Sequence, residues 1–304
     1  MSYLTVCTPT YNRAYCLEVP FNSLCKQTFK DFEWLVIDDG STDDTEQLIE
    51  KFKEKADFPI VYVKTENHGK AAALNESYKH IKTKYVINLD SDDEFTETAL
   101  QKIYEAWESV PKEDYDRFFC VIGHCIDSKD RKLVGGMWPE GINKLKGRAQ
   151  RKEIFKHKKG EKICCRKVEI LKQFPFPTPP NTKFLFEGTV WCAIERKYDQ
   201  YCINDIIRVY HTESEDALTK RRDLSFMNAR YYLSLAQVNN SLGNFTYNPK
   251  ILKSILNVSK FGIFMKIPFV DTMKGINKFY KRIFVAIGYP VMWVYNKVYY
   301  KEGK

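Results

Sequence analysis

The first hundred residues alternate between short runs of apolar, β-branched or aromatic side chains and longer stretches with the 3.6-residue period of helices. The runs predict strands at residues 3–7, 33–37, 60–63 and 85–89. The longer stretches predict helices at residues 14–26, 43–55, 69–81 and 97–108. Strands that alternate with helices indicate βαβ units around a parallel sheet, and apolar runs without alternation are typical of strands covered on both faces. The pattern therefore predicts an α/β fold.

The rest of the chain is less regular and then becomes helical. Between residues 110 and 215 we predict strands at 117–126 and 203–210, helices at 148–157 and 166–173, and a proline-rich loop at 174–180. Further helices are predicted at 221–242, 250–258 and 272–286, with Gly262, Pro268 and Pro290 as breaks between them. These patterns predict a first domain over residues 1–215 and a helical C-terminal region over 216–304.

A polar cluster follows each of the first four predicted strands. The clusters are Thr-Pro-Thr-Tyr-Asn-Arg at 8–13, Asp-Asp-Gly-Ser-Thr-Asp at 38–43, Glu-Asn-His-Gly-Lys at 66–70 and Asp-Ser-Asp-Asp at 90–93. Ligands of open parallel sheets bind at the carboxyl ends of the strands. The four clusters therefore predict a nucleotide-type crevice at that edge.

Asp90 and Asp92 are two residues apart at the end of an apolar strand, so their carboxylates can converge on one hard cation. Mg²⁺ or Mn²⁺ accepts one or two carboxylates together with phosphate oxygens. The alternative is that this cluster only caps the next helix. Position at a βαβ strand end favours the metal interpretation.

Three further charged groups are candidates at this edge. Asp38 and Asp39 are adjacent carboxylates, and a tight turn alone does not require both of them. One of the two can accept a hydrogen bond from the N3–H of uracil. Lys70 opens a predicted helix, where a cation beside backbone amides suits a diphosphate, although it could equally be a solvated lysine.

Glu187 stands at a loop–helix junction among apolar residues and is a candidate general base, the alternative being a carboxylate that stabilises the helix dipole. His211 ends the apolar strand at 203–210, and an isolated histidine of this kind is more often structural than functional.

Charge and composition separate the two regions. Residues 250–304 hold eleven basic and two acidic side chains, so the whole formal excess of +9 lies there, interleaved with aromatic residues. This combination favours an anionic membrane surface as partner over a packed core, and both over nucleic acid. The nine cysteines contain no Cys-x-x-Cys pair and are interpreted as free thiols in a reducing cytosol. Neither a secretory signal nor a spanning helix is expected.

The four motifs resemble those of glycosyltransferase family 2, the inverting enzymes with a GT-A fold, over residues 1–215. The resemblance implies that the nucleoside is held by Thr8, Pro9, Tyr11 and Arg13, and the uracil by Asp39 or, as second choice, Asp38. It implies Lys70 at the diphosphate, Asp90 at the nucleotide, and Asp90, Asp92 and His211 at Mn²⁺ or Mg²⁺. Many members carry the base in a Glu-Asp pair and others in Glu-Gly-x-x-Trp, and the second pattern is the one present at Glu187.

These assignments imply an inverting transfer of a sugar from a nucleoside diphosphate to an acceptor hydroxyl, with UDP as the first choice of nucleotide. The resemblance to capsule, O-antigen and exopolysaccharide enzymes suggests a lipid-linked glycan as acceptor and a peripheral location on the cytoplasmic face of the membrane. A sugar-phosphate nucleotidyltransferase is the first alternative function. Such an enzyme would be expected to have a glycine-rich first loop, whereas the loop at 8–13 contains no glycine. The second rival is a non-catalytic nucleotide- or membrane-binding protein of the same fold.

Overall fold

The computed structural model describes residues 2–145, 160–179, 182–211, 224–241 and 249–299. The chain forms two compact units, one made of Met1–Pro175 with Ile194–Asp216 and the other of Phe176–Ala193 with Ala217–Lys304. The first unit ends next to the predicted boundary at residue 215. Residues 176–193, predicted within the first domain, belong to the second unit instead. The helix predicted at 148–157 lies outside the described residues.

The first unit is built on a mixed sheet. Its strands are β1 (Leu4–Thr10), β2 (Phe32–Asp38), β3 (Ile60–Lys64), β4 (Tyr85–Asn88), β5 (Glu94–Phe95), β6 (Phe118–Asp127), β7 (Lys144–Leu145), β8 (Lys162–Lys167) and β9 (Asp199–Tyr210). Their order is β3-β2-β1-β4-β8-β6-β9-β5, with β7 paired to β9. The four N-terminal strands pair in parallel, as the pattern predicts.

Helices connect the parallel strands at nearly the predicted positions. They are α1 (Glu18–Cys25), α2 (Thr45–Lys55), α3 (Lys70–His80) and α4 (Ala99–Glu108). All seven residues of β1 are buried, which explains why its side chains do not alternate between apolar and polar. The parallel pairing aligns Thr10 at the end of β1 with Asp38 at the end of β2, so the polar clusters that follow meet at one edge.

One strand of this sheet was not predicted, and its last two residues were assigned to a helix instead. Residues 162–167 form β8, which runs antiparallel between β4 and β6, and the short helix α5 (Val168–Gln173) begins only after it. Every second residue of β8 is buried, so its sequence carries a half-buried period of two. The helical prediction for 166–173 therefore holds only from Val168 onward.

Lys167 ends β8 as a buried cation, 1% exposed. Its Nζ donates a hydrogen bond of 2.6 Å to the Tyr115 carbonyl and lies 3.3 Å from the centre of the Tyr115 ring. Burial lowers the pKa of Lys167 from 10.5 to about 8, despite opposing attraction from Glu169.

The pKa of Lys167 predicts a pH dependence of stability. Because the folded-state pKa is depressed, the unfolded chain binds more protons between pH 8 and 10.5, so stability rises with pH in that window. From pH 7.5 to 9.5 the wild type should gain about 2 kcal/mol more than Lys167→Met in urea unfolding. Exposed Lys172 is the control, because Lys172→Met should keep the wild-type slope. Equal slopes for Lys167→Met and wild type would contradict the assignment.

The second unit contains helices around a small core. Helix α6 (Gly188–Lys197) begins in it and continues into the first unit, followed by α7 (Leu224–Asn239), α8 (Pro249–Phe264), α9 (Phe269–Lys274) and α10 (Phe279–Tyr299). Side chains of α7, α8 and α10 form the core, including Tyr231, Ile255 and Val285. The predicted 221–242 helix is confirmed over Leu224–Asn239.

Two of the three predicted helix breaks are wrong. Pro268 does precede a helix start, but Gly262 lies inside α8 and Pro290 inside α10. A Cβ at Gly262 would lie 3.2 Å from the Tyr289 hydroxyl, so glycine permits a close approach of α8 and α10. The predicted helix at 272–286 is accordingly divided between α9 and α10.

Two basic residues of α10 serve the helical unit internally. Lys281 is buried, and its Nζ donates to the carbonyls of Val238, Asn239 and Ser241, which satisfies the C-terminal end of α7. Arg282 Nε donates to the Ile276 carbonyl. The Lys281 side chain therefore does not belong to the exposed basic surface predicted for the tail, and Arg282 is only partly exposed. Among the helices that the structure describes, none is both long enough and apolar enough to cross a bilayer.

Candidate active site

The loops after β1 and β2 are locked together at the carboxyl edge of the sheet. Asn12 takes a positive φ of 51°, donates its N–H to Ser41 Oγ, and accepts the Thr42 N–H at its Oδ1. Asp43 accepts the Ala14 N–H in the same way. The two loops thus form one rigid rim.

Asp38 and Asp39 take different structural roles in this rim. The Asp38 residue is fully buried, with Oδ1 accepting the Ser41 N–H and Oδ2 accepting the Tyr62 hydroxyl. Its carboxylate therefore braces the turn, and its role as a nucleotide contact stays a prediction. The Asp39 carboxylate accepts the N–H groups of His68 and Gly69, at 2.8 and 2.7 Å.

Gly40 and Gly69 allow these loops to close. Gly40 has φ +82°, and a Cβ there would lie 2.9 Å from the Asn67 nitrogen. Gly69 has φ +91° and caps α3 immediately before Lys70. Both positions require a conformation that side chains with a Cβ seldom adopt. Asp39 and these glycines together fix the place where α3 begins.

Lys70 and Asp90 form an ion pair across the crevice edge. Lys70 Nζ lies 2.7 Å from Asp90 Oδ1, with both side chains about one-third exposed. Burial opposes ionisation of Asp90, but the Lys70 ammonium and the Arg208 guanidinium outweigh it and lower the pKa of Asp90. The carboxylate therefore stays negative at neutral pH. Lys70 is thus held in an ion pair, and its role at a diphosphate stays a prediction.

Asp92 is paired with the loop after β1. Arg13 Nη1 lies 2.7 Å from Asp92 Oδ2 and 3.4 Å from Ser91 Oγ. The structure thus brings Arg13, Lys70, Asp90 and Asp92 into one cluster of alternating charge, as the strand-end motifs predict. Helix α4 starts only at Ala99, with Thr98 as N-cap, so the aspartate cluster does not cap it.

The first-strand motif divides between core and surface. Thr8 is fully buried, and its Oγ1 accepts the Trp34 indole N–H at 2.9 Å. Pro9 is buried within β1 as well. These two residues therefore build the strand, whereas Tyr11 is 46% exposed and Arg13 reaches the aspartate cluster. As nucleoside contacts, Tyr11 and Arg13 are better placed than Thr8 and Pro9.

Asp93 anchors the aspartate loop to the end of β9, a role that the sequence motif does not reveal. Asp93 is 1% exposed, its Oδ1 accepts the His211 N–H, and its Oδ2 lies 3.2 Å from Arg208 Nη1. Burial raises the pKa of Asp93 to about 7, against the attraction of Arg208. A buried arginine within the apolar run Ile-Ile-Arg-Val-Tyr could have signalled such a partner.

His211 lies beside this anchor, and its side chain is about one-third exposed. Its Nε2 is 3.8 Å from Glu94 Oε1, which is beyond hydrogen-bonding distance. Within the described ranges, no three His, Cys, Asp or Glu side chains are grouped as metal ligands. His211 is therefore not gathered into one ligand set with Asp90 and Asp92, and its metal role stays a prediction.

The residues present fit a divalent cation through two carboxylates. Asp90 and Asp92 offer hard oxygen ligands, and Mg²⁺-type sites commonly take one or two carboxylates and complete the shell with water and substrate phosphate. The cations that pair with these carboxylates, Lys70 and Arg13, are suited to a diphosphate. The donor set therefore matches a metal–diphosphate ligand better than a closed protein metal site.

Glu187 belongs to the second unit and directly precedes α6, as predicted. Its Oε2 accepts the indole N–H of Trp191 at 3.2 Å, one helical turn away. The surrounding segment packs on α7, where Phe186 lies edge-on to Phe226 and against the Arg230 guanidinium. The i, i+4 spacing of Glu187 and Trp191 in the Glu-Gly-x-x-Trp pattern places the two side chains on one face at the helix start, so this hydrogen bond could have been predicted from the sequence.

Comparison with known proteins agrees with this fold and these motifs. Over 222 residues the chain is 28% identical to the GalNAc(5)-diNAcBac-PP-undecaprenol beta-1,3-glucosyltransferase of Campylobacter jejuni, covering 72% of this chain and 68% of that protein. Three further curated relatives are matched over only 17% or 18% of their own length.

Solved structures show the same architecture. S. aureus TarS 1-349 in complex with UDP-GlcNAc superposes with a TM-score of 0.59 at 18% identity, covering 99% of this chain and 93% of that one. The mannosyltransferase PcManGT from Pyrobaculum calidifontis, in complex with GDP-Man and Mn²⁺, gives 0.53 at 17% identity, covering 99% and 88%. The mostly parallel sheet flanked by helices is thus the GT-A fold, followed by a helical region.

The family model for glycosyl transferase family 2 matches residues 5–166, which include the strand-end motifs at β1, β2 and β4 and the start of α3. That match spans more than half of the chain and contains the Arg13, Asp39, Lys70, Asp90 and Asp92 positions described above. The chain belongs to glycosyl transferase family 2 and is a glycosyltransferase.

Proposed function

We propose that this enzyme transfers a sugar, with inversion, from a UDP-sugar to a hydroxyl of a lipid-linked glycan at the cytoplasmic face of the membrane. The paired charges of Asp90 with Lys70 and Asp92 with Arg13 at the strand ends carry the proposal. Support comes from a relative named for an undecaprenol-diphosphate-linked acceptor and from a GT-A neighbour that holds UDP-GlcNAc.

The donor would bind along the rim formed by the loops after β1 and β2. Tyr11 is exposed there for contact with the nucleoside, and Asp39 lies at the base of the same rim. Lys70 stands at the N-terminus of α3, where its ammonium and the helix amides favour a diphosphate. Arg13 adds a second cation within reach of the aspartates. These groups would orient the donor before transfer.

Mn²⁺ or Mg²⁺ is proposed as cofactor, with Asp92 and Asp90 as its protein ligands and His211 as a further candidate. When bound, such a cation supplies positive charge that stabilises the departing diphosphate. A GT-A neighbour was solved with Mn²⁺, which supports this choice. Lys70 and Arg13 would then exchange their carboxylate partners for phosphate oxygens, so that no charge of the cluster is left unpaired.

Glu187 is proposed as the general base. Its carboxylate would take the proton of the acceptor hydroxyl while that oxygen forms its bond to the anomeric carbon. The bond from the anomeric carbon to the diphosphate oxygen breaks on the opposite face, and its electron pair leaves with the diphosphate. Trp191 would hold the Glu187 carboxylate in one orientation through its indole N–H.

Trp191→Phe tests this positioning role. The substitution removes the N–H donor and keeps most of the ring volume, so we expect a roughly tenfold fall in kcat with an almost unchanged KM for donor. A purely structural role would instead lower the melting temperature and leave kcat of the folded fraction intact. Measuring kcat, KM and melting temperature on the same preparation distinguishes the two results.

A donor screen tests the function as a whole. Purified full-length protein is incubated with UDP-, GDP- and CDP-sugars, with and without a bacterial lipid extract, and diphosphate release is measured in Mn²⁺, Mg²⁺ or EDTA. We expect release from a UDP-sugar that requires the cation and increases with lipid acceptor. Absence of release from every donor in Mn²⁺ and lipid would contradict the proposal.

A further inference from the structure

The last described helix, α10, presents apolar side chains to solvent along one face. Residues at 283, 287, 291, 294 and 298 recur every three or four positions, which places them on one side of a helix. Each of these aliphatic side chains is between 45% and 62% exposed. They are Ile283, Ile287, Val291, Val294 and Val298. A soluble surface helix usually presents polar residues on this side.

The opposite face of α10 already has its partner. Val285 and Met292 are buried, and α8 contacts this face through a hydrogen bond from Ser259 Oγ to the Val285 carbonyl. Asn296 Nδ2 donates to the Lys260 carbonyl from the same side. The packing of α10 in its own unit therefore leaves the aliphatic face exposed to solvent.

Aromatic and basic groups border the aliphatic face. Trp293 is half exposed, and Lys297 Nζ lies 3.7 Å from the centre of its ring. Lys274 and Lys278 are exposed on the approach to the helix. Indole rings and lysines whose stems lie along apolar surface are typical of the boundary between lipid headgroups and acyl chains.

We propose that α10 lies in the interface of an anionic bilayer, with its aliphatic face inserted among the acyl chains and its lysines at the headgroups. At 21 residues the helix is about 30 Å long, and none of the helices the structure describes could span a bilayer, so it would lie in the membrane plane. This inference rests on the proposed function and adds the bilayer as the enzyme's partner, because a lipid-linked acceptor is found at the membrane surface.

Charge favours lipid over a second copy of this chain as the occupant of the face. Residues 250–304 carry eleven basic against two acidic side chains, so two copies joined through α10 would bring like charges together. An anionic headgroup layer instead attracts each basic residue near it. The structure also removes Lys281 from this attraction, since that side chain is buried and bonded to carbonyls. Insertion of aliphatic side chains thus carries more of the binding than the sequence alone suggests.

Flotation with phosphatidylglycerol–phosphatidylcholine vesicles tests the proposal on the full-length protein. We expect Ile287→Ser with Val291→Ser to partition roughly tenfold to a hundredfold more weakly than wild type, and to do so also in 0.5 M NaCl, where charge attraction is screened. The matched control is Val61→Ser with Leu224→Ser, two exposed aliphatic residues outside α10. Circular dichroism and melting temperature verify that both variants fold.

Trp293 fluorescence gives a second readout. Trp34, Trp107 and Trp138 are buried, and Trp191 is half-buried with its indole N–H bonded to Glu187, so most of a vesicle-dependent blue shift should disappear in Trp293→Phe and remain in Trp191→Phe. Wild-type binding by the α10 double variant would overturn the proposal. The proposal would also be overturned if the wild type did not bind vesicles but formed a dimer in sedimentation velocity, and the double variant were monomeric. Diphosphate release in Mn²⁺ with the lipid extract is measured in parallel, so vesicle binding without release from any donor would contradict the proposed function alone.

Discussion

Glu187→Gln is expected to lower kcat by about 10²- to 10⁴-fold, because a positioned base contributes that factor and the amide cannot accept the acceptor proton. The substitution keeps the size of the side chain and its ability to accept the Trp191 indole N–H. Donor affinity should therefore change little. Initial rates of diphosphate release, with donor binding measured by calorimetry, give both quantities on one preparation.

The same chemical change at Glu195, which lies within α6 eight residues after Glu187, is the control. Glu195→Gln should keep wild-type turnover if the effect belongs to the proposed base and not to the charge of the helix. Near-normal turnover in Glu187→Gln would remove Glu187 from the role of base. A parallel loss of donor affinity and of melting temperature would assign Glu187 to structure instead.

Asp92→Asn is expected to lower kcat by about 10²- to 10³-fold, the size found when one group that stabilises developing charge is removed. The variant deletes a carboxylate that is proposed to hold the cation and also leaves Arg13 without its ion-pair partner. The concentration of Mn²⁺ needed for half-maximal rate should therefore rise. Rates over a Mn²⁺ series and direct Mn²⁺ titration by electron paramagnetic resonance measure the two effects.

Asp130→Asn supplies the comparison for Asp92→Asn, because Asp130 is a solvent-exposed carboxylate paired with exposed Lys132. We expect this variant to keep the wild-type Mn²⁺ dependence. An Asp92→Asn enzyme with wild-type rate and Mn²⁺ dependence would contradict the assignment of Asp92 as a ligand. Unfolding curves of both variants verify that neither change acts through stability.

The parallel half of the sheet could be predicted from the sequence because β1, β2 and most of β4 are buried on both faces and the connecting helices have a clear period. The meeting of the four polar clusters could be predicted for the same reason, because the carboxyl ends of parallel strands lie at one edge of the sheet. Strand β8 escaped prediction because a short antiparallel strand with one buried face contains polar residues at every second position. The buried Lys167 made β8 still harder to predict, because a lysine is normally exposed and Tyr115, which accepts its hydrogen bond, is remote in sequence.

Tertiary packing explains the remaining errors. Gly262 and Pro290 are local helix breakers, but the contacts between α8 and α10 keep both helices continuous. At the site, residue types and spacing identified the aspartate pair and Lys70, whereas pairings between distant segments did not follow from any motif. Asp93 with Arg208 and Arg13 with Asp92 are of this kind, because only the folded sheet brings them together.

The configuration of the sugar at the moment of release tests the central claim most directly. Enzyme at substrate-like concentration is mixed with Mn²⁺ and a UDP-sugar whose anomeric carbon is α-linked, with water as the acceptor, and proton NMR follows the free sugar before it mutarotates. Single displacement with inversion predicts that the β-anomer appears first, at a rate that falls in Glu187→Gln. First appearance of the α-anomer would contradict the account.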